Sequence, residues 1–516
     1  MHREIASIFA EAFSAHKEGN YEKCLSLSKQ VTLVDNGNAD AQHMIAVSSH
    51  KLKKYKDAVD SIMCAAAYNI NNQSIAFNFR EIIRAAASHL QKIECKKEKE
   101  DIILSLYKAA YFSSFYEKEL EIEFSFPILV NELIRIGYNQ EAINIARLSF
   151  KTTSHTEIPL MCTHILLDLG LIDEECLRNS ADLGVRFIRK NENLPLSFAS
   201  ILHWCYWKNN YKSLNFFLGI MKKKMSEKEI LSSKVLHAWH MIRIDNNFYK
   251  NHVYQFNSTV TYEKNQSAKK IEGEGIVLVS VDENYWNRFA RQMVEDLLLK
   301  SHTFPIHACI MNASASTQSF LAEWAEQYPR FGYSVVETKN QKWISDVNKV
   351  AFGKTYFACN RFMMMEDVFN IYGKPIIVLD GDQVPVGDMD EFIHMLLDRH
   401  NGDIAIHYGT RLGPGREMVC DLAVFRPTPG THLFFSLLKR YMGYFLSQDY
   451  ALWTLDQVAF YAVLFFLQKG GMAPRLSLIE QEKFPFHRYL FHPLDSMDKD
   501  AMIHAKRMAL AAQGGQ

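Results

Sequence analysis

The sequence predicts two modules of different class: an all-α helical-repeat domain over residues 1–250 and an α/β domain over residues 275–516, joined by a linker at 251–274. Three observations carry this reading. The opening residues superpose on themselves at a shift of 34. From Gly275 onward, β-branched runs alternate with helical segments. One of those runs, Lys374-Pro-Ile-Ile-Val-Leu-Asp380-Gly-Asp382, ends in two carboxylates one residue apart.

At 516 residues the chain exceeds what one core serves. Lysine plus arginine and aspartate plus glutamate balance at 58 each, which argues against a dedicated nucleic-acid surface. Nine scattered cysteines without a Cys-x-x-Cys pair suggest neither a disulfide framework nor a zinc site. They read as buried thiols of a reducing compartment. The first residues are amphipathic and interrupted by acids, unlike a signal peptide. The longest apolar run, Val458 to Leu467, is about half the length of a spanning helix. The expectation is a soluble, cytoplasmic protein without a transmembrane segment.

In the first half, the shift of 34 places Ala12 on Ala46, His16 on His50, Tyr21 on Tyr55, Cys24 on Ala58, Leu25 on Val59 and Val31 on Ala65. Small residues recurring between bulky ones let helix pairs stack. This pattern resembles tetratricopeptide repeats. Gly19-Asn-Tyr and Lys53-Lys-Tyr read as the turn that opens each second helix, and Gly137-Tyr-Asn as a third copy. Helical signal continues through Ser197–Leu218 and Lys228–Ile244. Such an array presents a surface to a peptide or partner subunit, self-association included. His203-Trp-Cys-Tyr-Trp207 reads as core, and Met221-Lys-Lys-Lys-Met225 as a solvated basic turn. Residues 251–274 are polar and lack either periodicity, hence the linker.

In the second half, Ile276–Val281, Ile306–Met311 and Tyr333–Glu337 read as strands, with helices over Tyr285–Lys300, Thr317–Glu326 and Arg361–Asn370. This alternation predicts a mainly parallel sheet that binds ligands beyond its strands' carboxyl ends. Asp282 and the Asp380/Asp382 pair then share one rim. Carboxylates there are costly to bury unpaired and suit a hard cation, Mn²⁺ or Mg²⁺. Gly381 allows the sharp turn between them.

The order Val281-Asp282-Glu-Asn-Tyr285, Tyr356-Phe-Ala-Cys-Asn-Arg361, Ile377-Val-Leu-Asp-Gly-Asp382 and Val386-Gly-Asp388 resembles GT-A fold (Rossmann-like) glycosyltransferases. It is most similar to the retaining family-eight nucleotide-sugar transferases, over Gly275 to the C-terminus. The resemblance implies a metal-dependent transferase that moves a sugar from a nucleotide diphosphate, with UDP-sugar as the expected donor. Asp380 and Asp382 would hold the metal bridging the diphosphate, whose developing charge it neutralises. Ser280, Asp282 and Tyr285 would meet the nucleotide, and Arg361 the diphosphate or donor sugar.

Cys420-Asp421-Leu-Ala is similar to the strand beside the donor sugar, although the family has Asn, a small residue and Gly there. Asp456-Gln457 resembles a pair placed under the reacting sugar. His504, with Lys506 and Arg507 behind it, matches the family's late metal-ligating histidine and phosphate-gripping cation, without the Gly-x-x-Lys-Pro-Trp ending. His487 and His492 compete for that role. Gly413-Pro-Gly-Arg-Glu417 reads as an acceptor-side loop rather than a phosphate loop.

A retaining reaction needs no dedicated base, whereas an inverting one would conscript Asp421 or Asp456. The acceptor is open: the hydroxyl of a protein, which the attached repeats make a reasonable expectation, or equally that of a glycolipid or glycan. Two other readings stand: a non-catalytic helical-repeat scaffold with a silent transferase fold, and a metal-dependent phosphoryl-transfer enzyme.

Overall fold

The computed structural model describes residues 2–90, 93, 95–116, 126–153, 155–241, 260–263, 274–338, 350–409, 417–447, 455–480, 486–493 and 498–514. The chain forms two compact units, Met1–Trp204 and Cys205–Gln516.

The first unit is all helical. Its helices follow one another in hairpin order: His2–Lys17, Tyr21–Val34, Ala39–Lys51, Tyr55–Tyr68, Gln73–His89, Lys96–Phe115, Phe126–Arg135, Asn139–Thr152, Ile158–Asp168, Glu174–Lys190 and the larger part of Leu194–Trp207, whose last three residues belong to the second unit. The positions that superpose at the 34-residue shift are interior: Ala12, Ala46, Cys24, Ala58, Val31 and Ala65 are fully buried. His16 packs edge-on against Tyr21 at 5.6 Å, and the equivalent His50 lies 6.0 Å from Tyr55.

The repeat is stricter in the backbone than in the residues. Gly19, Lys53 and Gly137 end their helices in the left-handed region, at φ 77°, 59° and 89°. In each case the next amide bonds back five residues: Asn20 to Ala15, Lys54 to Ser49 and Tyr138 to Leu133. These bonds satisfy carbonyls that a helix end otherwise leaves without partners. Gly170 (φ 74°) and Asn209 (φ 56°) make the same turn, with Leu171 bonding Leu166 and Asn210 bonding Cys205.

The second unit opens with helices Tyr211–Lys224, Glu227–Ser232 and Lys234–Met241. Trp239 stacks on Phe465 at 4.9 Å, and Lys469 Nζ donates to the Tyr206 carbonyl at 2.8 Å. The apolar run Val458–Leu467 therefore lies in a buried helix, Leu455–Lys469. Within the stretch read as a linker, residues 260–263 form a strand, and the rest up to 273 lies outside the described residues. Among the described residues no helix is long and apolar enough to cross a membrane. All nine cysteines are free; Cys64 and Cys95 are exposed, contrary to the reading of them as buried thiols, and the other seven are buried.

The strands are β1 (Val260–Glu263), β2 (Ile276–Asp282), β3 (Ile306–Met311), β4 (Phe331–Thr338), β5 (Ile376–Leu379), β6 (Val384–Pro385), β7 (Ile404–Gly409), β8 (Glu417–Phe425), β9 (Leu476–Glu480) and β10 (Leu490–Phe491). Eight form one mixed, mostly parallel sheet in the order β1-β4-β3-β2-β5-β8-β7-β9, and β6 pairs with β10. β1 and β8 run antiparallel to their neighbours. β2, β3 and β5 are apolar runs buried on both faces, as a strand covered by helices must be. Val277, Val279 and Val281 pack with Trp286, Met293, Leu297, Phe392 and Leu396. Alternation turns Leu278 and Ser280 to the other face. The chain leaves β2 in one direction through β3 and β4, then returns to β5 on its other side. That reversal falls between β2 and β5, and the carboxyl ends of strands at such a point are where open α/β sheets bind ligands.

Candidate functional site

β2 and β5 pair in parallel up to Val279 opposite Leu379, so Ser280 and Asp380 come next, side by side. β5 pairs with β8 up to Leu379 opposite Leu422, and the Asp380 amide then donates to the Asp421 carbonyl at 3.1 Å. Ser280, Asp380 and Asp421 thus lie across three adjacent strands where the chain reverses. Asp456 joins them from the first turn of Leu455–Lys469, where an acid suits the helix dipole. Gln457, the next residue, is half-buried.

The turn after β5 is held by contact rather than by an unusual dihedral. Gly381 does not have a positive φ, so the reason for glycine is space. A Cβ there would stand 2.7 Å from Val281 Cγ1 and 3.0 Å from Ala290 Cβ. The close approach seats the acidic turn on the start of the helical stretch that follows β2. That stretch begins with Asp282, whose side chain accepts from the Tyr285 amide at 2.8 Å and caps the helix. It then passes through a π-helical turn, Trp286–Ala290, before the regular helix Arg291–Lys300. Apolar periodicity alone reads the whole stretch as one α-helix.

Each carboxylate has a cationic or polar partner. Asp382 is 3 % exposed, and its Oδ2 accepts from Tyr285 Oη at 2.7 Å and Lys499 Nζ at 2.6 Å. An unpaired carboxylate buried this deeply would cost several kcal/mol. Arg361 bridges two others, donating through Nη1 to Asp380 and through Nη2 to Asp456 at 3.1 Å. Burial works against its charge, but Asp380 and Asp456 outweigh that and raise its pKa. Asp380 is itself pushed up to about 6 by burial, with Asp382 and Asp421 reinforcing the rise against the pull of Arg361.

Asp421 is surrounded differently. The β7–β8 ladder shifts register between Ile406 and His407, and the irregularity brings His407 Nδ1 to 2.6 Å from Asp421 Oδ1. Burial would raise the Asp421 carboxyl, yet His407, with His492 and Arg361 behind it, holds it below the ordinary range. His492 Nδ1 stands 3.9 Å from Asp421 Oδ2 and 3.4 Å from Gln383 Nε2.

The late part of the chain differs from expectation. The histidine that reaches the acidic turn is His492, whereas His504 is exposed on the helix Lys499–Gly514. The reason is helical geometry: Ile503 turns inward to pack with Phe289 and Val384, and the next residue turns away. Lys506 lies over the Phe491 ring at 5.7 Å. The cation at the turn is instead Lys499, which sequence reasoning missed because nothing local marks its approach to Asp382. His407 and Gln383 were also missed. Ser280 donates to Met364 Sδ at 3.7 Å, and Asp388 caps the helix Met389–Arg399. Residues 410–416, most of the expected acceptor-side loop, lie outside the described residues.

Among the described residues, no group of three or more His, Cys, Asp and Glu side chains is placed to hold a metal ion. Two hard carboxylates suit Mn²⁺ or Mg²⁺ in donor chemistry. Asp380 retains 29 % side-chain exposure, and beside it the buried Gln383 Oε1 accepts no hydrogen bond among the described residues. By donor chemistry these oxygens, two carboxylates and an amide, suit a hard cation.

No family model matches the chain, and no curated protein does. Among solved structures it is similar to a tetratricopeptide-repeat protein from Thermus thermophilus, at 13 % identity and a TM-score of 0.18, over 36 % of this chain and 97 % of that one.

Proposed function

We propose that the second unit is a metal-dependent glycosyltransferase of the GT-A type, using a nucleotide-diphosphate sugar, with a UDP-sugar as the favoured donor. The observation that carries this reading is the joining of two separate sequence signals. Asp282-x-x-Tyr285 and Asp380-Gly-Asp382 leave neighbouring strands at the reversal of strand order and are tied by the Tyr285–Asp382 hydrogen bond. A crevice at such a point is where open α/β sheets bind nucleotides.

In this reading Asp380 and Asp382 hold Mn²⁺ or Mg²⁺, which when bound supplies a Lewis acid to the departing diphosphate. Ser280, Asp282 and the Tyr285 ring face the base and ribose. Arg361 fixes Asp380 and Asp456 at a set separation, so its first role is to position them. Asp421, Asp456 and Gln457 supply hydrogen-bond acceptors and a donor for sugar hydroxyls. The acceptor hydroxyl attacks the anomeric carbon from the face that the diphosphate leaves, the bond from that carbon to the phosphate oxygen breaks with retention, and the departing phosphate oxygen takes the hydroxyl proton. The helical repeats select a protein acceptor, so removing residues 1–204 would lower transfer to protein and spare donor hydrolysis.

The test is a hydrolysis and transfer screen over sugar nucleotides with Mn²⁺, for the wild type and Asp382→Asn. Turnover of one donor, lost in the variant, supports the proposal. Turnover that persists in the variant, or none with any donor, overturns it. A second reading has its own observation: Arg361 and Lys499 already neutralise both carboxylates, as in a silent scaffold. It requires UDP binding that is indifferent to Mn²⁺.

A further inference from the structure

The helix Lys499–Gly514 begins with a cation, the wrong sign for a helix N-terminus, where acids are favoured. Its neighbours have the right sign: Asp498 accepts from the amides of Asp500 and Ala501 at 3.1 and 3.3 Å. The compensation for Lys499 is Asp382. Its Nζ reaches the same Oδ2 that Tyr285 holds, at 2.6 Å, and the lysine side chain is 25 % exposed.

The rest of the helix is lightly anchored. Arg288 pairs with Asp500, but both side chains are about half exposed, and exposed pairs contribute little. Arg507 meets Asp296 at 3.3 Å, and Ile503 fills a small apolar cluster with Phe289 and Val384. Among the described ion pairs of the helix, the best shielded is therefore the one on the acidic turn.

Resting on the acidic turn being the cation site proposed above, we propose that Lys499 is a built-in counter-ion for Asp382, so that divalent-cation binding and docking of the first turn of the C-terminal helix exclude one another. A divalent ion on Asp382 would stand beside Lys499 Nζ on one carboxylate, and like charges at that distance repel strongly. The ion expels Nζ, and the first helical turn loses its shielded contact. The coupling is reciprocal: docking of the helix weakens the cation site by the factor that the cation weakens docking.

Three measurements on the full chain at pH 7.5 test this: Mn²⁺ binding followed by electron paramagnetic resonance of the free ion, amide exchange of residues 499–506 with and without Mn²⁺, and thermal unfolding to verify that each variant is folded. Lys499→Met, which keeps the apolar stem, should bind Mn²⁺ roughly tenfold tighter, while Lys499→Arg stays within about twofold of the wild type. In the wild type, Mn²⁺ should speed exchange at residues 499–506. Equal Mn²⁺ affinity in wild type and Lys499→Met, or exchange unchanged by Mn²⁺ at saturation, overturns the inference. Asp382→Asn separates the two levels: if it loses Mn²⁺ binding while Lys499→Met changes nothing, only the counter-ion role fails. If it binds Mn²⁺ like the wild type, or no form binds the ion, the acidic-turn reading and the inference fail together.

Discussion

The hydroxyl of Tyr285 donates to Asp382 Oδ2 at 2.7 Å, joining residues 97 positions apart at the ends of two neighbouring strands. The acceptor is buried and charged, so the bond is of the stronger kind and worth about 1.5–3 kcal/mol. Tyr285→Phe keeps the ring, its packing on Phe289 at 4.9 Å and the backbone capped by Asp282. It should lower unfolding free energy by about 1–2 kcal/mol and weaken Mn²⁺-dependent sugar-nucleotide binding several-fold. Denaturant unfolding and nucleotide titration check the two separately; a variant as stable and as tight as the wild type would show that the bond contributes nothing.

Asp380 gives the site a pH dependence of known sign. Its pKa rises from 3.8 to about 6 on folding, so the native state holds its proton more tightly than the unfolded one. The stability this contributes is fully present below about pH 4 and is lost as pH rises through about 6. Cation binding runs the opposite way, because only the ionised carboxylate ligates. Mn²⁺ affinity should therefore climb between about pH 5 and 7 with a midpoint near 6, and Asp380→Asn should remove that step. A binding curve flat over this range would contradict the assignment.

Gly381 tests how the acidic turn is seated. Gly381→Ala places a methyl 2.7 Å from Val281 Cγ1, and overpacking of this kind costs about 1–3 kcal/mol. Val281→Ala removes the obstructing atom at the price of a small cavity. The double variant should recover part of the stability lost in Gly381→Ala alone, a positive coupling that a denaturation cycle measures. Strict additivity would mean that the turn moves away from β2 without resistance.

How much of this was legible beforehand depends on the range of the cause. β2, β3 and β5 are apolar runs bounded by polar turns, and the alternation with helices was enough to read a mostly parallel sheet and to bring Asp282 and Asp380 to one rim. The pattern could not reveal Lys499, because its pairing with Asp382 spans 117 positions and depends on Ile503 fixing the helix face. The same geometry turned His504 outward. Asp282 carries a local signal for its capping bond, because an acid directly after a strand and ahead of a helix is an N-cap. The π-helical turn at Trp286–Ala290 has no comparable mark in composition.

His307 predicts acid sensitivity of the second unit. It is fully buried in β3, with Nδ1 2.9 Å from Tyr372 Oη and Nε2 2.9 Å from Ser334 Oγ, and burial lowers its pKa to about 4. The unfolded chain takes up the proton near pH 6.5, so stability is intact above that value and falls as pH drops toward 4. The loss attributable to this residue is about 3 kcal/mol by pH 4. His307→Gln should start less stable at pH 7.5 and lose less between pH 6.5 and 4, as unfolding at several pH values would reveal. Equal slopes in both proteins would place the sensitivity elsewhere.

The repeat turns offer a test in which the same position wants different residues. Gly19, Lys53 and Gly137 occupy equivalent left-handed positions, and a Cβ at Gly19 or Gly137 would meet nothing within 4 Å. Any cost of a side chain there is therefore conformational and not steric crowding. Gly19→Ala and Gly137→Ala should each lose about 1–2 kcal/mol, the left-handed penalty for an L-residue. Lys53 already bears that penalty at φ 59°, so Lys53→Gly should gain up to about 1 kcal/mol once the greater freedom of glycine in the unfolded chain is subtracted. The opposite signs at superposable positions are the content of the prediction: unfolding of the three variants in one denaturant series decides it. A loss at Lys53 would mean that its side chain, rather than the turn, sets the helix end.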